Sequence, residues 1–86
     1  MINYGKIQDA IDREADLAYS LGGYPSMKFE HAIGELQDGI DFGYTEDEWY
    51  EVIREVRNNY FGRLKGEEKS ILDNLLTRVL DIVSFG

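Results

Sequence analysis

Apolar residues recur at helical spacing in four separate stretches of this chain, and nowhere do they alternate with polar residues as a half-buried strand requires. In the first, about residues 3–21, Ile7, Ile11, Leu17, Ala18 and Leu21 share one face, with Ala10 and Ala15 beside them. Glu14 falls near the centre of that stripe. The expectation is a partly open edge there, with the glutamate stem covered and its head in water. The run Gly22-Gly23-Tyr24-Pro25 supplies the glycine and proline that stop a helix.

The second stretch, about 26–41, gathers Phe29, Ile33, Leu36 and Ile40 into a narrow arc with Ala32 on its flank, and sets Glu30, Glu35, Asp38 and Asp41 outside it. Gly34 and Gly39 each cost about 1 kcal/mol against alanine in a helix interior. At Gly34, on the acidic side, the expectation is a locally marginal helix.

The third stretch, 46–60, opens on the clearest signal in the chain. Thr45 with Glu48 three residues later is a capping box, and Tyr44 with Trp49 is placed as its hydrophobic staple. Glu46, Asp47 and Glu48 favour the positive end of the helix dipole. Trp49, Val52, Ile53, Val56 and Tyr60 form the core stripe, while Tyr50, Arg54, Arg57 and Phe61 line one side. Gly62 and Gly66 flank a basic connection, Arg63-Leu64-Lys65. In the fourth stretch, about 67–84, Ile71, Leu72, Leu75, Leu76, Val79, Leu80, Ile82 and Val83 cover half the circumference. So wide an arc reads as the central helix of a bundle or as one that also meets a second copy. The 86 residues therefore predict one all-α domain (1–86), a small four-helix bundle of antiparallel up-down arrangement with helices at about 3–21, 26–41, 46–60 and 67–84.

Charge sharpens this picture. The net charge is −8, and residues 29–53 hold eight acids and no lysine or arginine. Such a block repels nucleic acid and anionic membrane and attracts basic partners. Solubility accounts for an acidic balance, and less well for its segregation. No apolar run reaches the length of a membrane span, and the first residues lack a signal-peptide layout, so cytoplasmic residence is the expectation.

Catalytic and metal chemistry finds little here. Cysteine is absent and His31 is the sole histidine, which excludes thiolate sites and the usual zinc ligand sets. His31 has Glu35 one turn on, a spacing that predicts a surface ion pair. Calcium fails on Asp38-Gly39-Ile40-Asp41-Phe42-Gly43: the third, fifth and twelfth loop positions are Ile40, Phe42 and Trp49, where oxygen ligands are needed. No nucleophile-elbow sequence surrounds any of the four serines. Glu35-x-x-Asp38 and Glu48-x-x-Glu51 resemble the acidic pairs with which all-α nucleoside triphosphate pyrophosphatases hold magnesium. Their order is reversed, and the acids are expected to lie away from any cleft between helices. A metal-dependent nucleotide hydrolase is accordingly the weakest alternative.

The hexapeptide Tyr44-Thr45-Glu46-Asp47-Glu48-Trp49 is similar to the Tyr-Thr-Glu-x-Glu-Phe opening found in the colicin DNase immunity proteins, small acidic four-helix domains. Those carry it near the N-terminus, whereas here it begins the third helix. Their Tyr-Tyr-Pro recognition segment has no counterpart, since the sole Tyr-Pro, Tyr24-Pro25, lies upstream. The residues themselves predict a non-enzymatic, cofactor-free binding domain of the inhibitor or immunity type. It blocks a basic, nucleic-acid-handling protein through an acidic and aromatic helical face: Asp38, Asp41, Tyr44, Glu46, Asp47, Tyr50, Glu51, Arg54 and Glu55. The alternative is a structural or regulatory domain that forms a homodimer through its apolar fourth helix.

Overall fold

The computed structural model describes residues 2–22, 24–64 and 66–85. Four helices follow one another: α1 (Tyr4–Ser20), α2 (Met27–Asp41), α3 (Glu46–Tyr60) and α4 (Gly66–Phe85), with a single 3-10 turn at Phe61–Arg63 after α3. Each helix packs on the next, and α4 closes back onto α1. Connections of a few residues force consecutive helices antiparallel, giving an up-down four-helix bundle about 37 × 23 × 20 Å. Gly23 and Lys65, placed by the sequence in two of the breaks, lie outside the described residues. Among the described residues no helix is long and apolar enough to cross a membrane.

Local chemistry sets the helix ends. Asn3, Ser26 and Thr45 cap α1, α2 and α3, each accepting from the backbone N–H three residues on. The join between α2 and α3 is the tightest. Gly43, at φ +66°, takes the left-handed position that a side chain resists. Its N–H donates to the Ile40 carbonyl and that of Tyr44 to the Gly39 carbonyl, which is the Schellman pattern. One residue later the capping box starts α3: Glu48 N–H donates to Thr45 Oγ1 (3.3 Å) and Thr45 N–H to Glu48 Oε1 (3.0 Å). Tyr44 meets Trp49 edge-on at 5.8 Å, completing the staple, and the Tyr4 hydroxyl donates to the Tyr44 carbonyl.

The core is continuous, from Ile7 and Ile11 through Phe29, Leu36, Trp49 and Val56 to Leu72, Leu75, Leu76 and Val79. Trp49 is fully buried and sits on Gly39: a Cβ built there would come within 2.5 Å of Trp49 Cη2. That close approach explains the glycine in α2. At Gly34 nothing comes within 4 Å, so its glycine serves no packing purpose.

The α1 stripe needs correction. Leu17 and Leu21 remain 47 % and 46 % exposed, because the stripe runs on past the point where neighbouring helices cover it. Glu14 shows the reverse error. It is 3 % exposed, inside the seam with α4, and not at an open edge. Its Oε1 lies 3.6 Å from Arg78 Nε, and its Oε2 has no hydrogen-bond partner among the described residues. The wide arc of α4 is consumed inside the bundle: Ile71, Leu72, Leu75, Leu76, Val79 and Val83 are buried. Leu80, at 37 % exposed, is the part of it left most open.

Candidate functional site

The outward flanks of α2 and α3 enclose a groove of about 340 Å³. From α2 come Glu35 and Asp38, and from α3 Asp47, Glu48, Glu51 and Glu55, with Tyr44 and Val52 completing the lining. The sequence expectation that the paired acids avoid a cleft between helices is therefore overturned. Periodicity places those acids off the core stripes correctly. It does not reveal that the polar flanks of two adjacent antiparallel helices face a common channel.

Five of the nine residues singled out from the sequence meet here: Asp38, Tyr44, Asp47, Glu51 and Glu55. The other four are engaged elsewhere. Asp41 accepts from Gln37 Nε2 (3.1 Å), beside the Gln8–Gln37 amide pair that ties α1 to α2. Glu46 accepts from the Tyr50 hydroxyl (3.1 Å), and that hydroxyl also pairs with Ser84 Oγ (3.0 Å), tethering α3 to the end of α4. Tyr50 thus links α3 to α4 at the surface while remaining half-exposed. Arg54 is exposed and rests 3.8 Å from Glu51 at the rim. Arg57 bonds Asp73 (3.0 Å) and lies 5.4 Å from the centre of the Phe61 ring, with Lys69 Nζ 5.1 Å from it. The aromatic and basic side of α3 is local packing against α4.

Glu35, Glu48 and Val52 join the groove without having been chosen. Glu48 is hidden by its capping role, and Glu35 by its spacing to His31. The expected ion pair does not form: His31 is exposed with no partner among the described residues, and Glu35 turns instead to the groove. Glu35 Oε2 is buried, with no hydrogen bond of full geometry to any described residue, although the Tyr60 hydroxyl lies near the carboxylate. Its negative charge also acts on Tyr60, whose phenol is pushed above its ordinary value by partial burial first and by Glu35 next, while Arg63 pulls the other way.

The groove's electrostatics follow from its spacing. Asp47, Glu51 and Glu55 stand one turn apart along α3, about 6 Å of rise each. Two like charges at that distance repel by roughly 0.7 kcal/mol in bulk water. Each pair is weak, but all six carboxylates add with one sign, and neither lysine nor arginine lines the groove. Asp38, Asp47 and Glu55 carry no side-chain hydrogen bond or ion pair with any described residue. Among the described residues no three acids or imidazoles converge as a metal ion requires. The carboxylates ring a channel open to water, an arrangement suited to several separate cationic contacts. Compared with protein-family models, with curated proteins and with solved structures, the chain matches none, so the groove itself carries the functional reading.

Proposed function

We propose that this domain binds a basic partner protein in the acidic α2/α3 groove, acting as an inhibitor or immunity-type cover for a cationic surface. The observation that carries the reading is the convergence of six carboxylates on one groove whose lining contains no lysine or arginine, with Arg54 reaching only Glu51 at the rim. Three of those acids have no side-chain partner among the described residues, so their hydrogen-bonding capacity suits lysine or arginine. Val52 and Tyr44, which share the lining, add contact area. Attraction of this kind speeds encounter and weakens with salt.

The test is titration of the full chain with a lysine- and arginine-rich helical peptide across a salt series, read by calorimetry. Saturable binding is expected, falling steeply with salt, and the triple variant Asp47→Asn, Glu51→Gln, Glu55→Gln should lose at least tenfold in affinity. A control variant, Asp9→Asn, Asp12→Asn, Asp16→Asn, removes the same charge from α1 and should bind as wild type. Equal losses in both variants would reduce the attraction to net charge and sink the groove as a site.

A further inference from the structure

We infer that buried Glu14, paired with half-exposed Arg78, is a register lock, fixing how far α4 lies along α1 at a cost in stability. The inference stands apart from the groove and does not depend on its function. Glu14 is 3 % exposed at the centre of the face α1 turns to the core, among Ile7, Ala10, Ile11 and Ala18. Only one of its oxygens is near a partner, at 3.6 Å from a half-exposed arginine; the other has none. A carboxylate so poorly compensated is a net cost compared with leucine in the same place.

What the pair supplies is discrimination. The buried face of α4 is otherwise repetitive: Leu72 and Leu76 stand one turn apart, as do Leu75, Val79 and Val83. Sliding α4 by one turn sets leucine or valine where leucine or valine was, so apolar burial distinguishes such packings weakly. Glu14 distinguishes them strongly. A slip in one direction replaces Arg78 by Asn74 or Leu75, and in the other by Ile82 or Asp81. Either leaves the carboxylate buried without a positive charge, and one sets a second acid beside it.

Other contacts among the described residues also hold α4, among them Ser26 to Glu68, Arg57 to Asp73, Tyr50 to Ser84 and Lys69 over the Phe61 ring. Their partners are exposed or half-exposed, so water takes over when they break. The Glu14 carboxylate, 3 % exposed, is out of reach of that replacement.

The variant Glu14→Leu tests the lock. Its thermal midpoint should rise by about 5 °C or more. Its amide ¹H–¹⁵N spectrum should show doubled or broadened resonances in α1 and α4, where wild type shows one sharp set. Arg78→Met, which strands the carboxylate, should lower the midpoint, and adding Glu14→Leu to it should restore stability. A single sharp set of resonances for Glu14→Leu would overturn the register role. A lowered midpoint for Glu14→Leu, or an unchanged one for Arg78→Met, would overturn the claim that Glu14 is a cost held in check by Arg78.

Discussion

Replacing Gly39 by alanine isolates the contact on which the α2/α3 pair is built. The new Cβ would stand 2.5, 2.8 and 2.9 Å from Cη2, Cζ2 and Cζ3 of Trp49. That ring is fully buried and bracketed by Tyr4 and Tyr44, so it cannot swing aside without moving a helix. Overpacking of this kind costs about 1–3 kcal/mol, and three short contacts with a confined ring argue for the upper end. Alanine returns about 1 kcal/mol through its better helix propensity. The net expectation is a loss of about 2 kcal/mol, or a midpoint lowered by roughly 10 °C in a domain of this size. Gly34→Ala is the internal reference: with nothing within 4 Å, it keeps only the propensity gain and should raise the midpoint by roughly 4–8 °C. Thermal and urea unfolding followed by circular dichroism measure both. The cause is tested in a Trp49→Phe background, which removes the three clashing ring atoms together with an indole N–H that has no partner among the described residues. There Gly39→Ala should become neutral or stabilising. A Gly39→Ala protein as stable as wild type, or one whose cost persists in the phenylalanine background, refutes the reasoning.

Two further outcomes follow from the helix end and the phenols. Thr45→Ala removes the hydroxyl half of the capping box and should cost about 1 kcal/mol in urea unfolding, with Thr45→Ser largely restoring it. The Tyr19 hydroxyl donates to Glu30 (3.1 Å), and that bond, with the glutamate's charge, raises the phenol above its ordinary 10.0. A raised value favours the native state below pH 10, and the benefit fades as pH climbs through the native value. Tyr19→Phe should therefore be less stable than wild type at neutral pH and equal to it in strong alkali, and should remove one late-titrating phenolate from the ultraviolet titration; an unchanged late limb would contradict the assignment.

The sequence makes the fold legible to the extent that local rules decide it. Thr45 with Glu48 announces a helix start, and Gly22 to Pro25 a stop, because capping needs only atoms a few residues apart. Core stripes are readable on α2, α3 and α4 for the same reason. Coverage is not readable. Leu17 and Leu21 continue the α1 stripe in pattern, yet no neighbouring helix reaches over them, while Glu14 breaks the pattern and is buried because α4 closes above it. The groove fails to announce itself on the same ground. Asp38 and Asp47 stand nine residues apart on either side of a turn, and only the packing angle of two helices sets their flanks around one channel. The hydrogen bonds of Tyr50 to Ser84 and of Asp41 to Gln37 are illegible for a related reason, since periodicity cannot assign such neighbours.

The junction of α2 and α3 bears also on the order in which the chain folds. It is the shortest of the three connections between helices, and its stop and start signals are written within the segment itself. The entropy of closing so small a loop is the least of the three, and Trp49 meets Gly39 and Tyr44 across it. This hairpin is the part of the molecule with most native contacts at least sequence separation. The expectation is a folding nucleus at the hairpin that carries the acidic groove: in stopped-flow urea experiments substitutions around Gly43 and Trp49 should fall chiefly on the folding rate and those in the α1/α4 seam on the unfolding rate, and the reverse pattern would refute it.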